Sequence, residues 1–418
     1  MNKLNYQRTF LSNGLELIVH EDHGSQMAAV NLLYKVGSRN EISGKTGLAH
    51  FFEHLMFGGS KNVPLFDREL DLVGGTCNAF TSPDITNYYI SLPAANLETA
   101  LWLESDRMFQ LRLTEKTIET QRQVVIEEFK QRYLNQPYGD AFHHLRNLAF
   151  EKHPYRWPTI GEKIADIEGY KWQDVEDFYQ THYSPDNAVL VIAGNVDPQE
   201  VKSSVEKWFG DIAASGKQRI EVVPEENQSV RKFKNVAKDV PTDALYKSFK
   251  MPGRQEDGYL EADLITDYLG FGNSSKVQTQ LVKNGNKFAS AGAYVLGSYD
   301  PGLLVFSGKM EEGISAAEGE AEVDDLISEF LNQGISEKDL QRVKNQNEAM
   351  KTYEGIQLLN RAMSLAYHAF LGDPAGYSEE FEKKSEIPAS QIIDWAHKIL
   401  KEEKSSVLYY ESEKNAKV

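Results

Sequence analysis

The stretch Gly47-Leu-Ala-His-Phe-Phe-Glu-His-Leu-Met-Phe-Gly58 sets two histidines and a carboxylate in an otherwise apolar segment. Glycines bound it at both ends, which predicts a short helix. On a helix, positions i, i+3 and i+4 share a face, so His50, Glu53 and His54 point the same way while Leu48, Phe51, Leu55 and Met56 cover other faces. Three polar groups left unpaired against apolar neighbours cost on the order of several kcal/mol. A divalent metal relieves that cost. Two neutral imidazoles one turn apart can bind one zinc ion, and the carboxylate beside them can take a proton from a metal-bound water. A lone histidine here would be read as a hydrogen-bonded structural residue; the full His-x-x-Glu-His string is the inverted zinc spacing.

A catalytic zinc with three protein ligands takes the third from a second element. The predicted helix over 114–136 offers Gln121-Arg-Gln-Val-Val-Ile-Glu-Glu-Phe-Lys-Gln131. Glu127 and Glu128 point about 100° apart, so only one of them can face a metal. On spacing alone the pair reads as a solvated helical face. Val124, Val125 and Phe129 predict that the helix is packed.

The elements that must position these groups occur twice. Residues 28–39 loosely resemble Ala244-Leu-Tyr-Lys-Ser-Phe-Lys-Met-Pro-Gly-Arg254, and both lead into an apolar helix, ending in Glu53-His-Leu-Met-Phe-Gly58 and Asp267-Tyr-Leu-Gly-Phe-Gly272. Leu113-Thr-Glu-Lys116 and Ile335-Ser-Glu-Lys338 each open a long helix; Val175-Glu-Asp-Phe178 and Ile392-Ile-Asp-Trp395 each precede a strand. Three matches in order at a nearly constant offset indicate a duplicated chain. Residues 1–212 form one half and 230–418 the other, with the polar, aperiodic 213–229 as linker. In the first half, strands are predicted over 10–20, 27–36, 76–81, 86–92 and 187–194. Helices are predicted over 47–57, 65–73, 95–110, 140–149 and 170–181, besides 114–136. Strands pair with nearby strands and helices come in runs, so the fold class is α+β, two homologous halves each built on an antiparallel sheet flanked by helices.

Composition bounds the partners. With 418 residues, 41% hydrophobic and 26% charged, the chain is an ordinary globular protein with room for more than one core. A formal net charge of −17 argues against a nucleic-acid or anionic-membrane surface. No apolar run approaches the roughly 18 residues of a membrane span, and no apolar leader is visible, so a cytoplasmic location is expected, an exported mature form remaining open. Cys77 is the only cysteine, which leaves no disulfide framework and no cysteine zinc finger.

The string His50-Phe-Phe-Glu-His54, followed by Arg122-Gln-Val-Val-Ile-Glu-Glu128, resembles the pitrilysin family of zinc metallopeptidases, which includes insulysin and the mitochondrial processing peptidase. The likeness extends to Asn78-Ala-Phe-Thr-Ser-Pro-Asp-Ile-Thr-Asn-Tyr-Tyr89 and Gln131-Arg-Tyr-Leu-Asn-Gln-Pro-Tyr-Gly139, and the size matches a short form similar to the processing peptidase beta subunit. The resemblance implies one Zn2+ per chain, with His50, His54 and Glu128 as ligands and Glu53 as general base. It implies an edge strand at Asn78 and Ala79 to which a substrate peptide adds. The implied activity is a zinc endopeptidase acting on peptides or unfolded segments enclosed in a chamber; the alternative is a non-catalytic structural or partner-binding subunit of the same fold. In the second half Leu264, Asp267, Tyr268 and Met350 align with the four site residues, so that half keeps no metal ligand and serves as a chamber wall. Two departures from the family stand out. Gln121 replaces a glutamate that tunes the ligands. The strand Gly302-Leu-Leu-Val-Phe-Ser-Gly-Lys-Met-Glu-Glu-Gly313 lacks the arginine and tyrosine that grip the substrate carbonyl. A dimer follows as the expectation, with itself or with a homologous subunit lacking the zinc motif. His143, His144 and His153 are assigned no role, and Glu311–Glu322 reads as a solvated helix start.

Overall fold

The computed structural model describes residues 4–414. The first half of the chain forms strands β1 (Gln7–Phe10), β2 (Glu16–Glu21), β3 (Met27–Tyr34), β4 (Thr76–Thr81), β5 (Thr86–Pro93) and β6 (Ala188–Gly194). Its helices are α1 (Leu48–Leu55), α2 (Phe66–Asp71), α3 (Leu97–Phe109), α4 (Glu115–Phe129), α5 (Ala141–Ala149), α6 (Ile164–Glu168), α7 (Trp172–His182) and α8 (Pro198–Phe209). The second half forms β7 (Lys232–Lys238), β8 (Ala244–Met251), β9 (Phe288–Leu296), β10 (Gly302–Met310) and β11 (Ser405–Ser412). Helices α9 (Tyr259–Gly270), α10 (Ala316–Gln333), α11 (Glu337–Glu354), α12 (Leu358–Phe370), α13 (Gly376–Glu386) and α14 (Ala389–Ile399) complete it.

The first sheet runs β1-β2-β6-β3-β5-β4 and the second β7-β11-β8-β10-β9. Both are antiparallel except at one place each, where β2 lies parallel to β6 and β7 parallel to β11. The fold class is thus α+β with two homologous halves. Each sheet places its apolar runs centrally. Ala188-Val-Leu-Val-Ile-Ala-Gly194 is buried along its whole length, as a strand covered on both faces must be. The rim strand β4 alternates exposed and half-buried residues instead.

The chain forms two compact units, and each draws on both halves. One unit takes the residues up to Phe129, Trp157–Val222 and Met350–Glu380; the other takes Lys130–Arg156, Val223–Ala349 and the chain from Phe381 on. In the first unit, α12 lays Ala362, Leu365, Ala366 and Ala369 on Ile18, Leu33, Val189 and Val191 of the sheet. In the second, α5 lays Ala141, Leu145 and Ala149 on Ala244, Val305 and Leu408. Within that unit, Glu225 of the linker stretch is gripped by the N–H groups of Glu151, Lys152 and His153 at 2.9–3.0 Å, with Lys250 Nζ at 3.1 Å.

Several local expectations need correction. The predicted strand over 10–20 is broken, because Leu11–Gly14 make a turn around Ser12 and Asn13 between β1 and β2, with Gly14 at φ 89°. The helix over 114–136 stops at Phe129 and continues as a wider π turn over Lys130–Leu134. Val124 is 45% exposed, so only Val125, Ile126 and Phe129 pack at that end of α4. The sequence reading missed α6, which is too short for a periodic pattern, and α8, whose start is marked by Asp197 accepting from Gln199 and Glu200 ahead of Pro198. Ser315 and Glu318 form a capping box at the start of α10, but Glu320 is buried and paired with Arg231 and Lys247, so this acidic stretch is not simply solvated. Helices α1 and α9 both open on a left-handed glycine, Gly47 at φ 94° and Gly258 at φ 93°. Counted from that glycine, His50, Glu53 and His54 correspond to Glu261, Leu264 and Ile265. Counting back from the Phe-Gly that follows each helix gives the other register, because α9 has 12 residues and α1 has 8.

Candidate metal centre

Helix α1 is too short to hold itself together in water and depends on its surroundings. Its inner face buries Leu48, Phe51, Phe52 and Leu55. Phe52 stacks on Phe178 at 5.6 Å between ring centres and on Tyr179 at 6.0 Å, both from α7. Gly47 has no side chain to cap the helix, and buried Glu41 does that work. Its carboxylate accepts the N–H of Gly47 at 2.7 Å and of Ala49 at 2.9 Å. Burial pushes the Glu41 carboxyl well above the usual range, against the pull of those two N–H groups. A side chain at position 47 would collide with the Ile160 carbonyl and the Tyr170 hydroxyl, so glycine is required by space as well as by φ.

Helix α4 is registered against α1 through a loop. The Arg122 guanidinium donates to the Ile167, Glu168 and Tyr170 carbonyls at and just beyond the end of α6. Tyr170 in turn donates through its hydroxyl to the Thr46 carbonyl at 2.5 Å, one residue before the cap of α1. Thr46 Oγ1 donates to Asp166 Oδ2 at 2.6 Å. The arginine of the Arg-x-Val-Val-x-x-Glu stretch thus ties the helix bearing Glu128 to the helix bearing the histidines.

On the outer face of α1, His50 and His54 lie with ring centres 4.8 Å apart at 74°. Glu128 Oε2 is 3.7 Å from His50 Nε2 and 3.3 Å from His54 Nε2. All three candidate ligand atoms lie within 4.8 Å of one another. Zinc bonds of about 2.1 Å in a tetrahedron give ligand–ligand edges of about 3.4 Å, which the two measured edges bracket. Two imidazoles and one carboxylate, half-sheltered by α1 and α4, are a donor set that fits zinc. Glu127, the neighbour on α4, is exposed.

Glu53 lies one helical turn from His50 and next to His54 in sequence, and its Oε2 accepts the Thr81 hydroxyl at 2.5 Å. Thr81 is the last residue of β4, the rim strand of the first sheet. Asn78 and Ala79 lie on that same strand, paired with Tyr89 and Tyr88 of β5. The Ala79 N–H is covered by the Asn78 side-chain oxygen at 2.8 Å. The structure therefore brings His50, His54 and Glu128 together, carries Glu53 on the same helix as the two histidines, and joins it through Thr81 to the strand that carries Asn78 and Ala79.

Sequence reasoning missed Glu41, Arg122 as a tie and Thr81. Thr81 had a signal: it shares a strand face with Ala79, two residues away. Glu41 had none, because an acidic residue before a helix is usually exposed. Of the histidines given no role, His153 Nε2 lies 3.1 Å from Asp300, His143 packs against Tyr133, and His144 Nε2 lies 3.4 Å from Asp140. Cys77 is half-buried, and burial raises its thiol to about 11, so it is a poor nucleophile.

Comparison with known proteins agrees with this division into an equipped half and a bare one. Residues 17–163 match the family model described as insulinase (peptidase family M16), and residues 171–347 match the one described as peptidase M16 inactive domain. The zinc protease PqqE of Helicobacter pylori is 28% identical over 410 residues, covering 97% of this chain and 92% of that one. The probable mitochondrial-processing peptidase subunit beta of Arabidopsis thaliana is 29% identical over 208 residues, covering 49% of this chain and 39% of that one. A solved structure of a protease from Helicobacter pylori superposes with a TM-score of 0.94 at 28% identity, covering 98% of this chain and 100% of that one. With two histidines on α1, no histidine on the matching helix α9, and a likeness that runs nearly end to end, the chain belongs to the pitrilysin-type peptidase family M16.

Proposed function

We propose that this chain is a zinc-dependent endopeptidase acting on peptides or unfolded polypeptide segments. The observation that carries the reading is the convergence of His50 Nε2, His54 Nε2 and Glu128 Oε2 beside Glu53. In this reading His50, His54 and Glu128 hold one zinc ion. Bound zinc supplies a Lewis acid that polarises the scissile carbonyl and brings water within reach of a carboxylate base at neutral pH. Glu53 accepts the proton released as water attacks and returns it to the leaving amine. The substrate pairs as an added strand along β4, its main-chain oxygen replacing the Asn78 side chain on the Ala79 N–H. Binding of this kind selects extended conformation more than sequence.

The test is zinc content and hydrolysis of a quenched peptide pool, in wild type and Glu53→Gln. Roughly stoichiometric zinc is expected in both, with activity falling about 10²-fold or more in the variant. Equal turnover in both would overturn the reading. Zinc in both without turnover in either would support the alternative, a non-catalytic subunit. The missing arginine and tyrosine of Gly302–Gly313 support action as a dimer, with itself or with a homologous subunit lacking the zinc motif. Among the described residues no helix is long and apolar enough to cross a membrane.

A further inference from the structure

We propose that Thr81 is a positioning residue that couples the substrate-receiving strand to the general base. The inference rests on the reading of Glu53 as that base. Its physical content is a single hydroxyl, Thr81 Oγ1, donating to Glu53 Oε2 at 2.5 Å across the gap between β4 and α1. A carboxylate at the end of a glutamate chain turns through a broad, two-fold torsion, so nothing in Glu53 itself selects which oxygen faces the metal ligands. A hydroxyl bonded to one oxygen makes that selection and strengthens with the carboxylate's charge.

The location of the donor gives the selection a second consequence. Thr81 terminates β4, whose inner neighbour is β5 through the pair Thr81–Thr86 and whose other edge is the rim of the sheet. Half-buried Cys77, Ala79 and Thr81 share one face, and exposed Thr76, Asn78 and Phe80 share the other. Within β4, the residue meant to pair with a peptide and the residue that holds the base are therefore two positions apart on one face. A peptide that pairs along the rim orders the strand end from which Thr81 reaches Glu53. Occupancy of the strand and orientation of the base are then linked, and the link acts on the chemical step more than on affinity.

The experiment compares wild type, Thr81→Val, Thr81→Ser and Glu53→Gln as full-length, zinc-loaded proteins. The readouts are kcat and KM on one quenched peptide, zinc affinity by competition with a chromogenic chelator, and the thermal midpoint. Valine keeps the shape of threonine and removes only the hydroxyl. Thr81→Val is expected to lower kcat about 10- to 100-fold with KM within about two-fold. Zinc affinity is expected to stay within about two-fold of wild type, and Thr81→Ser, which restores the hydroxyl, to recover kcat to within about three-fold. The proposal is overturned if Thr81→Val keeps wild-type kcat, if its loss lies in KM or zinc affinity, or if Thr81→Ser is as impaired as the valine variant. Wild type no faster than Glu53→Gln would instead refute the function itself, a distinct failure that removes the basis for Thr81 as well.

Discussion

The helix pair α1 and α4 and its counterpart α9 and α11 gather different groups at the same place in the fold. In the first, two imidazoles and one carboxylate converge. In the second, α13 sends Lys384 between Asp263 and Asp267 of α9, at 2.6 and 2.7 Å, and Asn347 of α11 donates to Asp267 at 2.9 Å. The ammonium is covalently part of the chain and spends its donors on those carboxylates. It has no open coordination position, so it can neutralise charge but cannot polarise a carbonyl or a water. A donor set that recruits an outside metal keeps that capacity. The difference teaches that the second half closes its helix pair on a lysine of the chain with no histidine at that place, which supports the proposed reading that the histidines of the first half serve chemistry and not packing.

The most drastic way to break the comparison is to remove one donor on each side. His54→Ala is expected to abolish stoichiometric zinc binding and to lower peptidase activity by several orders of magnitude, while Asp267→Asn leaves both near wild type; metal analysis and turnover decide it. Loss of zinc in Asp267→Asn would mean that the second cluster also binds metal.

Next in size is Lys384→Met, which strands two largely buried carboxylates beside each other. A stability loss of about 3 kcal/mol is expected from denaturant or thermal unfolding, with zinc content unchanged. Its pH dependence has a definite sign. Burial pulls the Lys384 ammonium down, but Asp263 and Asp267 more than offset this and hold its pKa above the ordinary lysine value. The stabilisation is therefore complete below about pH 10.4, the unfolded value, and is lost as pH rises through the folded one. The gap between wild type and Lys384→Met should be flat from about pH 7 to 9 and close at higher pH. A gap that stays open as pH rises past the lysine range would contradict the assignment.

The smallest effect is the most diagnostic. Replacing the cluster with Asp263→Leu, Asp267→Leu, Asn347→Leu and Lys384→Met together is expected to leave stability within about 1–2 kcal/mol of wild type, since a buried ion cluster is often no better than an apolar core of similar volume. A much larger loss would show that the second half uses those charges for more than filling space. The same apolar treatment of His50, His54 and Glu128 should also fold, yet lose zinc, which would separate scaffold from site.

Much of the site is legible in the sequence, for a definable reason. His50, Glu53 and His54 sit within two turns of one helix, so local periodicity alone puts them on one face. Glu128 is preferred to Glu127 only through a family resemblance, because adjacent positions on a helix differ by about 100° and spacing cannot say which turns inward. Thr81 and Glu41 act across gaps in sequence that no period connects. The slipped register of α9 shows the same limit, since its extra turn is invisible to a motif matched at one end.

By itself, the sequence determined the duplication, the α+β class and the donor types, because these follow from local periodicity and from which side chains can bind a cation. Tertiary structure decided that α12 covers the sheet of the first unit and α5 the sheet of the second, an exchange of segments between halves. An apolar helix face fits any apolar sheet face, so its choice of sheet depends on where the rest of the chain leaves room. Tertiary structure likewise set Thr81 on Glu53, because a hydroxyl at a strand end finds its acceptor only when strand and helix are packed.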